Sequence, residues 1–211
     1  MNSTSTTSCI GFAGSREIAF GELREVALKA QEAVNSGELA PVLIFNDVTS
    51  NLIEVDFRGT ADELLERIGK AGQAAASTVE GNGEDDAGEV NALRRPGRPK
   101  LGVVAREVTL LPRHWEWLAA QPGGASVALR KLVEQARRTN QDKDRLRLAR
   151  EAAYRFMSAM AGNEPGFEEA ARALFAGNRD GFAEKVDRWP VDVRKHAKRL
   201  ADCGFEGVVG D

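Results

Sequence analysis

The sequence predicts an α+β protein in which a small mixed domain is followed by a linker and a mainly α-helical region. Short apolar runs alternate with amphipathic helical patterns over residues 1–69, as in small domains whose strands and helices share one core. Residues 70–102 lack such patterns and are rich in Gly, Ala, Pro and charge. Over residues 103–211, apolar side chains recur mainly at helical spacing. These three segments are the predicted domain, linker and helical domain.

The N-terminal domain is predicted to follow the order ββαββα. The apolar stretches SCIGF and REIAF are separated by the turn-forming residues Ala13-Gly14-Ser15, which indicates a pair of strands. The segment ELREVALKAQEAVNSG then repeats apolar residues at helical spacing and ends at Gly37. We expect the buried face of this helix to contain Leu23, Val26, Ala27, Ala30 and Val34.

Two further strands and a helix complete this domain. The uninterrupted apolar run PVLIF is typical of a buried strand, whereas NLIEVDF alternates apolar and acidic residues as a half-exposed strand does. Residues 47–51 are predicted to join them as a hairpin. Thr60 and Glu63 have the spacing of a capping box, which predicts that a helix begins at ADELLERIG.

The linker is predicted to be flexible. Its first part, residues 70–93, contains no aromatic residue and many small and acidic ones. A segment of this composition buries too little apolar surface to offset its chain entropy. A short basic segment completes the linker at residue 102.

The helical domain is predicted to open with a strand and two helices. VVAREVTLL is the strand, Pro112 suits the first turn of the helix PRHWEWLAAQ, and PGG ends that helix. The next helix, ASVALRKLVEQARR, places four apolar residues on one face: Leu129, Leu132, Val133 and Ala136.

The remaining helices are expected to be separate. Residues 140–142 are predicted to break or bend the helical path before a helix at 142–161, and three short helices follow, punctuated by Gly and Pro. Trp115 and Trp117 are two positions apart and cannot share one helix face, so we expect one of them in the core.

Charge is distributed unevenly, although the formal net charge is only −3. Residues 1–93 carry a net charge of −10, residues 94–155 of +9 and residues 156–211 of −2. This pattern predicts a polyanionic partner for the central segment alone. From Arg137 to Arg155 the basic side chains are spread around the predicted helix rather than forming one stripe.

The densest positive charge lies in RRPGRPKLG, residues 94–102. Its prolines exclude a regular helix and favour an extended backbone. Such a segment is thin enough to enter a DNA minor groove, about 6 Å wide, where A·T-rich tracts attract a guanidinium. The segment resembles an AT-hook: Gly97, Arg98 and Pro99 match the family's core, although Pro96 replaces the usual basic residue before it. A solvated, proline-stiffened linker is the alternative.

The AT-hook resemblance implies a role for each basic residue here. Arg98 is expected in the minor groove, with the neighbouring cations at phosphates. The candidate DNA-binding residues are Arg94, Arg95, Gly97, Arg98, Pro99, Lys100 and Arg106.

Residues 106–136 resemble a ribbon-helix-helix module, which would occupy residues 103–138. In that family strands of two chains pair into a ribbon that enters the major groove. In that family's register the outward strand positions fall on Arg106, Val108 and Leu110, and aliphatic side chains cannot read the hydrogen-bonding pattern of bases. Either the strand has the opposite phase or the module is kept for dimerisation. An ordinary strand-helix-helix is the alternative.

Catalytic and metal sites have little support. The sequence has no Gly-x-Ser-x-Gly, no phosphate-binding Gly loop with Lys and no His-Glu pair on one helix face. His114 and His196 are far apart, and Cys9 and Cys203 have no metal-ligand spacing. We therefore expect no enzymatic activity, no metal and no cofactor.

Three longer stretches carry a family resemblance: GRPKLGVVAREVTLLPRHWEWLAAQPGGASVALRKLVEQAR, AAYRFMSAMAG and FEEAARALFAGNRDGF. They resemble the bacterial family known as domain of unknown function 2239. The resemblance implies a bacterial protein and indicates no activity.

Together these observations predict a bacterial, cytoplasmic DNA-binding protein, either nucleoid-associated or a transcriptional regulator. We expect it to bind A·T-rich DNA with weak selectivity, as a homodimer and without a membrane segment. The alternative is a protein-interaction or ligand-sensing module with no direct role on nucleic acid.

Overall fold

The computed structural model describes residues 8–80 and 106–205, with side chains over residues 8–70 and 106–205. Its strands are β1 (Ser8–Ala13), β2 (Arg16–Glu22) and β3 (Val42–Asn46). Its helices are α1 (Leu23–Asn35), α2 (Ala61–Glu80), α3 (Pro112–Ala119), α4 (Gly124–Ala161), α5 (Phe167–Ala176), α6 (Arg179–Lys185) and α7 (Val191–Phe205). The protein is therefore α+β, as predicted.

The three strands form one antiparallel sheet in the order β2-β1-β3. The predicted turn joins β1 to β2, and its Gly14 has a φ of 55°, a backbone conformation that favours glycine. The register between these strands shifts after Gly11, where Ile18 is an extra residue on β2. The central strand is thus β1, which pairs along both of its edges.

One face of the sheet packs against the first two helices. Cys9 and Ile44 lie in a buried cluster with Val26 of α1 and Leu64 of α2. A Cβ atom at Gly11 would lie 3.0 Å from Cγ1 of Val26. The glycine in the middle of SCIGF therefore allows α1 to approach the central strand closely.

The other face packs against the C-terminal helices. Phe12 and Phe45 lie in a second buried cluster with Phe156 of α4 and Leu200 of α7, and α5 and α6 also contribute to it. The ring of Phe156 lies 5.5 Å from that of Phe12 and 5.4 Å from that of Phe45. Both faces of β3 are covered, which confirms the buried strand that the run PVLIF predicts.

Several local predictions are confirmed. The backbone N–H of Thr60 donates to Glu63 Oε2 at 2.8 Å, and that of Glu63 donates to Thr60 Oγ1 at 3.3 Å. These are the two bonds of a capping box. Pro112 lies in the first turn of α3, and three short helices follow α4.

The predicted fourth strand, NLIEVDF, does not form a regular strand. Leu52 makes the single β-bridge of this segment, to Phe45. Arg67 donates to the backbone carbonyls of Asp56 and Arg58, so these groups bind a side chain instead of a neighbouring strand. Ile53, Val55 and Phe57 of the segment still pack against the core. The observed order is ββαβα rather than ββαββα.

Two helices are longer than predicted. α2 continues to Glu80, inside the predicted linker, because the segment AGQAAAS is rich in alanine, the residue with the highest helix propensity. α4 runs through the expected break at residues 140–142, where Asn140 Nδ2 donates to the carbonyl of Ala136 at 2.9 Å. The rest of the predicted linker, residues 81–102, lies outside the described residues.

The predicted strand ahead of α3 is not formed in its described part, residues 106–111. A strand requires a neighbouring strand as its hydrogen-bond partner, and none of the described strands pairs with this segment. Pairing with a second copy stays a prediction. Trp115 and Trp117 are both exposed, so the expectation that one of them lies in the core is wrong: in α3 only Leu118 is buried.

The described residues divide into two compact units. The first unit combines residues 8–76 with residues 141–205, and the second contains the described residues between 77 and 140. The sequence prediction instead separated the N-terminal domain from all of the helices after residue 103. The difference arises because both faces of the sheet are apolar, and the C-terminal helices cover one of them. In the described part of the chain, no helix has both the length and the apolar character needed to cross a membrane.

We expect Phe156→Ala to lower the free energy of unfolding by about 3–5 kcal/mol, because it leaves a void among the rings of Phe12, Phe45 and His196. Urea unfolding followed by circular dichroism measures this change. Phe175→Ala is the matched control, since it removes the same ring from an exposed site on α5, and it should cost about 1 kcal/mol or less. Equal costs for the two variants would contradict the central position of Phe156.

Candidate functional site

Of the seven predicted DNA-binding residues, one lies in the described part of the chain. Arg106 is exposed in an irregular segment ahead of α3, and no ion pair joins it to another described residue. The other six lie outside the described residues: Arg94, Arg95, Gly97, Arg98, Pro99 and Lys100. Their proposed contacts with DNA stay predictions.

Four basic side chains form one stripe on the first half of α4. At about 100° per residue, Arg130, Lys131, Arg137 and Arg138 fall within about 120° of the helix circumference. All four are exposed, and we call them the basic stripe. The cations from Arg137 to Arg155 are spread around the helix, as predicted. The stripe is visible only when Arg130 and Lys131, which precede them, are included. The helical periodicity of the sequence contains this signal.

The basic stripe is only partly neutralised. Arg137 and Arg138 lie 3.5 Å and 3.3 Å from the carboxylate of Glu134. Arg130 Nε donates to a neutral backbone carbonyl at 3.1 Å, and within the described residues Lys131 has no ion pair. With four cations and one carboxylate, this face of α4 has a formal charge of +3.

A second face of the same helix segment is apolar. Leu132 is 44% exposed and Val133 is 56% exposed, and Ala136 is exposed beside them. With Leu129 they form the apolar face that the sequence predicts, and we call it the apolar stripe. Among the described residues nothing buries this stripe fully.

A charged cluster lies in the first unit. Asp47, at the end of β3, binds the guanidinium of Arg199 on α7 through both carboxylate oxygens, with Arg199 Nη1 3.2 Å from Oδ2. Arg199 Nη2 also donates to His196 Nδ1 at 3.1 Å. The guanidinium carbon of Arg199 lies 5.9 Å from the centre of the Phe20 ring. These contacts connect the loop after β3 to α7.

The loop after β3 has a fixed conformation. The side-chain oxygen of Asn46 accepts hydrogen bonds from the following backbone, including one of 2.8 Å from the N–H of Thr49. Ser50 is buried with a φ of 53°, in the left-handed region. Arg155 on α4 donates to the carbonyl of Thr49. The loop therefore presents Asp47 to α7 in one orientation.

His196 is buried among aromatic rings. Its ring centre lies 4.4 Å from that of Phe156, and its Nε2 is buried without a hydrogen-bond partner among the described residues. Because Arg199 can only donate, Nδ1 accepts, and neutral His196 has its proton on Nε2. Burial and then the charge of Arg199 lower the pKa of His196 to about 4, against an opposing effect of Asp47. His196 is therefore neutral at pH 7.

Cys9 lies close to the same charged cluster. Burial, and then the carboxylate of Asp47, raises the pKa of Cys9, so the protonated thiol is favoured near neutral pH. In the described part of the chain, no three His, Cys, Asp or Glu side chains are grouped to hold a metal ion.

A cavity of about 600 Å³ lies beside the charged cluster. Its walls come from the loop after β3, from α4 between Arg145 and Arg155, and from α7 between Arg199 and Cys203. Small-molecule sites have volumes of about 300–1,000 Å³. No sequence pattern predicts this cavity, because its three walls are distant in the chain and form no local motif.

We expect His196 to make stability depend on pH between about 6.5 and about 4. Below its ordinary pKa, the histidine of the unfolded chain takes up a proton that the folded protein does not bind, so stability falls as the pH falls. The loss reaches roughly 2–3 kcal/mol near pH 4. Urea unfolding of wild type and His196→Asn at several pH values measures this slope.

His196→Asn should remove this part of the slope, although it lowers stability at every pH. His114→Asn, at an exposed site on α3, tests whether the loss of a histidine alone changes the slope. If the free energy of unfolding of His196→Asn depended on pH as steeply as that of wild type, His196 would not be the source of the pH dependence.

Comparison with known proteins identifies a family. Residues 8–201 match the family described as "uncharacterized protein conserved in bacteria" (DUF2239). No curated protein and no solved structure matches the chain. The match covers most of the chain, including both described units, and agrees with the resemblance carried by the three long stretches of sequence. The protein therefore belongs to the bacterial family of domain of unknown function 2239.

Proposed function

We propose that this protein is a bacterial DNA-binding protein that acts in the cytoplasm, as a nucleoid-associated protein or a transcriptional regulator. The observation that supports it best is the basic stripe of α4. Exposed cations that are not neutralised by the protein's own carboxylates attract DNA by releasing counterions from its phosphates. The stripe follows the basic segment at 94–102 along the chain, so both belong to the segment of net charge +9.

The two basic regions are assigned different contacts. Arg98, between Gly97 and Pro99, is proposed to enter an A·T-rich minor groove. Arg106 and the basic stripe are proposed to contact phosphates, which contribute affinity and little sequence selectivity. Binding is therefore expected to be salt-dependent and weakly selective.

The apolar stripe supports a homodimer as the DNA-binding form. Leu132 and Val133 are large apolar side chains on a helix face that no described residue fully covers. A second copy of the same face would bury them, as the helices of a ribbon-helix-helix dimer do, and would also bring two copies of residues 106–111 together for pairing. Two copies of the basic stripe would double the number of phosphate contacts.

We expect the triple variant R130Q/K131Q/R138Q to bind an A·T-rich duplex at least about tenfold more weakly at low salt than wild type. Fluorescence anisotropy at several salt concentrations measures the affinity and its salt dependence. If each lost cation contacted one phosphate in each chain, the slope of log K against log salt should become less steep by about 0.9 per lost contact.

A control variant, K29Q/R172Q/R188Q, removes the same charge from exposed sites in the first unit. It should keep near-wild-type affinity. Arg98→Ala tests the minor-groove contact in the same assay. We expect this variant to lose affinity for A·T-rich duplexes and not for other duplexes. Equal loss in the two triple variants, or no binding by wild type in dilute buffer, would contradict the proposal.

We expect Leu132→Asp to convert a wild-type dimer into a monomer, because a carboxylate in the apolar stripe has no partner once buried. Light scattering after size exclusion measures the mass. Leu39→Asp, the same change at a fully exposed site in the first unit, should leave the dimer intact. A wild-type monomer, or a dimer that survives Leu132→Asp, would refute this assembly.

A further inference from the structure

The cavity of the first unit, of about 600 Å³, has walls that are mostly apolar. α4 contributes Leu148, Ala149 and Ala152, and α7 contributes Leu200. Leu148 is 56% exposed, whereas Ala152 is buried. The wall therefore extends from a solvent-accessible rim to a buried floor, a surface suited to the apolar body of a ligand.

Both carboxylates that line the cavity already have cationic partners. Asp47 binds Arg199, as described above. Glu151 Oε1 lies 2.9 Å from Nη1 of Arg147, which is not part of the cavity wall. Neither carboxylate therefore needs a cationic ligand.

Two of the three guanidinium groups in the cavity have no carboxylate partner among the described residues. Arg155 donates to a neutral acceptor, the carbonyl of Thr49, and this contact fixes one of its N–H groups while leaving others for a ligand. Arg145 is exposed at the rim. The cavity thus has an excess of positive charge.

The cations and the apolar residues of α4 share one face of the helix. Arg145, Leu148, Ala152 and Arg155 follow one another at steps of three or four residues, which places them in one row. The row begins and ends with a cation and is apolar in the middle. Such an order suits a ligand with an apolar body and an anionic group at its end.

We propose that this cavity binds a small organic anion with an apolar body, such as a carboxylate or sulfonate attached to a ring or chain. Arg155 binds the anionic group, Arg145 attracts it from the rim, and the body lies against the apolar residues of α4 and α7. This binding site is additional to the proposed DNA-binding function and does not depend on it.

Anilinonaphthalene sulfonate is a suitable probe, because it joins a sulfonate to an apolar ring system and fluoresces when bound. Its uncharged analogue, phenylnaphthylamine, lacks the sulfonate. In titrations of the full-length protein, the sulfonate should bind more tightly than the uncharged analogue. Arg155→Gln should weaken sulfonate binding by about tenfold, as expected for the loss of a charge-assisted hydrogen bond, and Arg145→Gln should weaken it less.

Matched variants test separately the charge of Arg155, the free volume of the cavity and the position of the cation. Lys143→Gln removes an exposed cation of α4 outside the cavity and should leave affinity unchanged. Arg155→Lys keeps the charge and should retain most of the affinity. Ala149→Phe fills the cavity and should abolish binding, whereas Leu132→Asp, in the apolar stripe, should not affect it.

Alkylation of Cys203 by N-ethylmaleimide locates the bound probe, because Cys203 is exposed and lines the cavity. The bound sulfonate should slow this reaction in wild type and not in Ala149→Phe. The proposal is overturned if the two probes bind equally well, if Arg155→Gln binds the sulfonate as wild type does, or if Cys203 reacts at the same rate with and without it.

Discussion

The packing of Phe156 against the sheet is the contact on which the rest of the first unit depends. Its ring meets Phe12 of β1 and Phe45 of β3, and it also meets His196 of α7. One side chain of α4 thereby contacts both β1, near the start of the chain, and α7, near its end. Both faces of this three-stranded sheet are apolar, and each must be buried against another element. The C-terminal helices bury the face that α1 and α2 leave open.

This packing also determines where the charged groups of the first unit meet. With α7 packed in the same core cluster as Phe12 and Phe45, Arg199 reaches Asp47, and the loop after β3 lies beside α4. The cavity is the space left between these elements. The second unit has a different character, because its segment of α4 exposes a basic face and an apolar face. For this reason we propose a ligand site in the first unit and contacts with macromolecules in the second.

Features that depend on neighbours in sequence were predictable. The β1–β2 turn, the capping box of Thr60 and the start of α3 at Pro112 all follow from residues a few positions apart. Two predictions are wrong because local signals compete. The small and acidic residues at the start of the linker predict flexibility, but alanine favours a helix there. Asn140 predicts a break or bend in the helix, but its side chain bonds within the helix. The Asp47–Arg199 pair joins residues 152 positions apart, so neither it nor the cavity has a sequence signature. The basic stripe was predictable in principle, because it follows from helical periodicity alone.

The central functional claim is that DNA binds the segment containing the basic stripe, and hydrogen–deuterium exchange with and without an A·T-rich duplex tests it most directly. The account predicts slower exchange in peptides from residues 94–138 when DNA is added at low salt, with the change lost at high salt. Peptides from β1, β2 and α1 should exchange at the same rate in both conditions. Unchanged exchange over residues 94–138, or slowing confined to the first unit, would contradict the account.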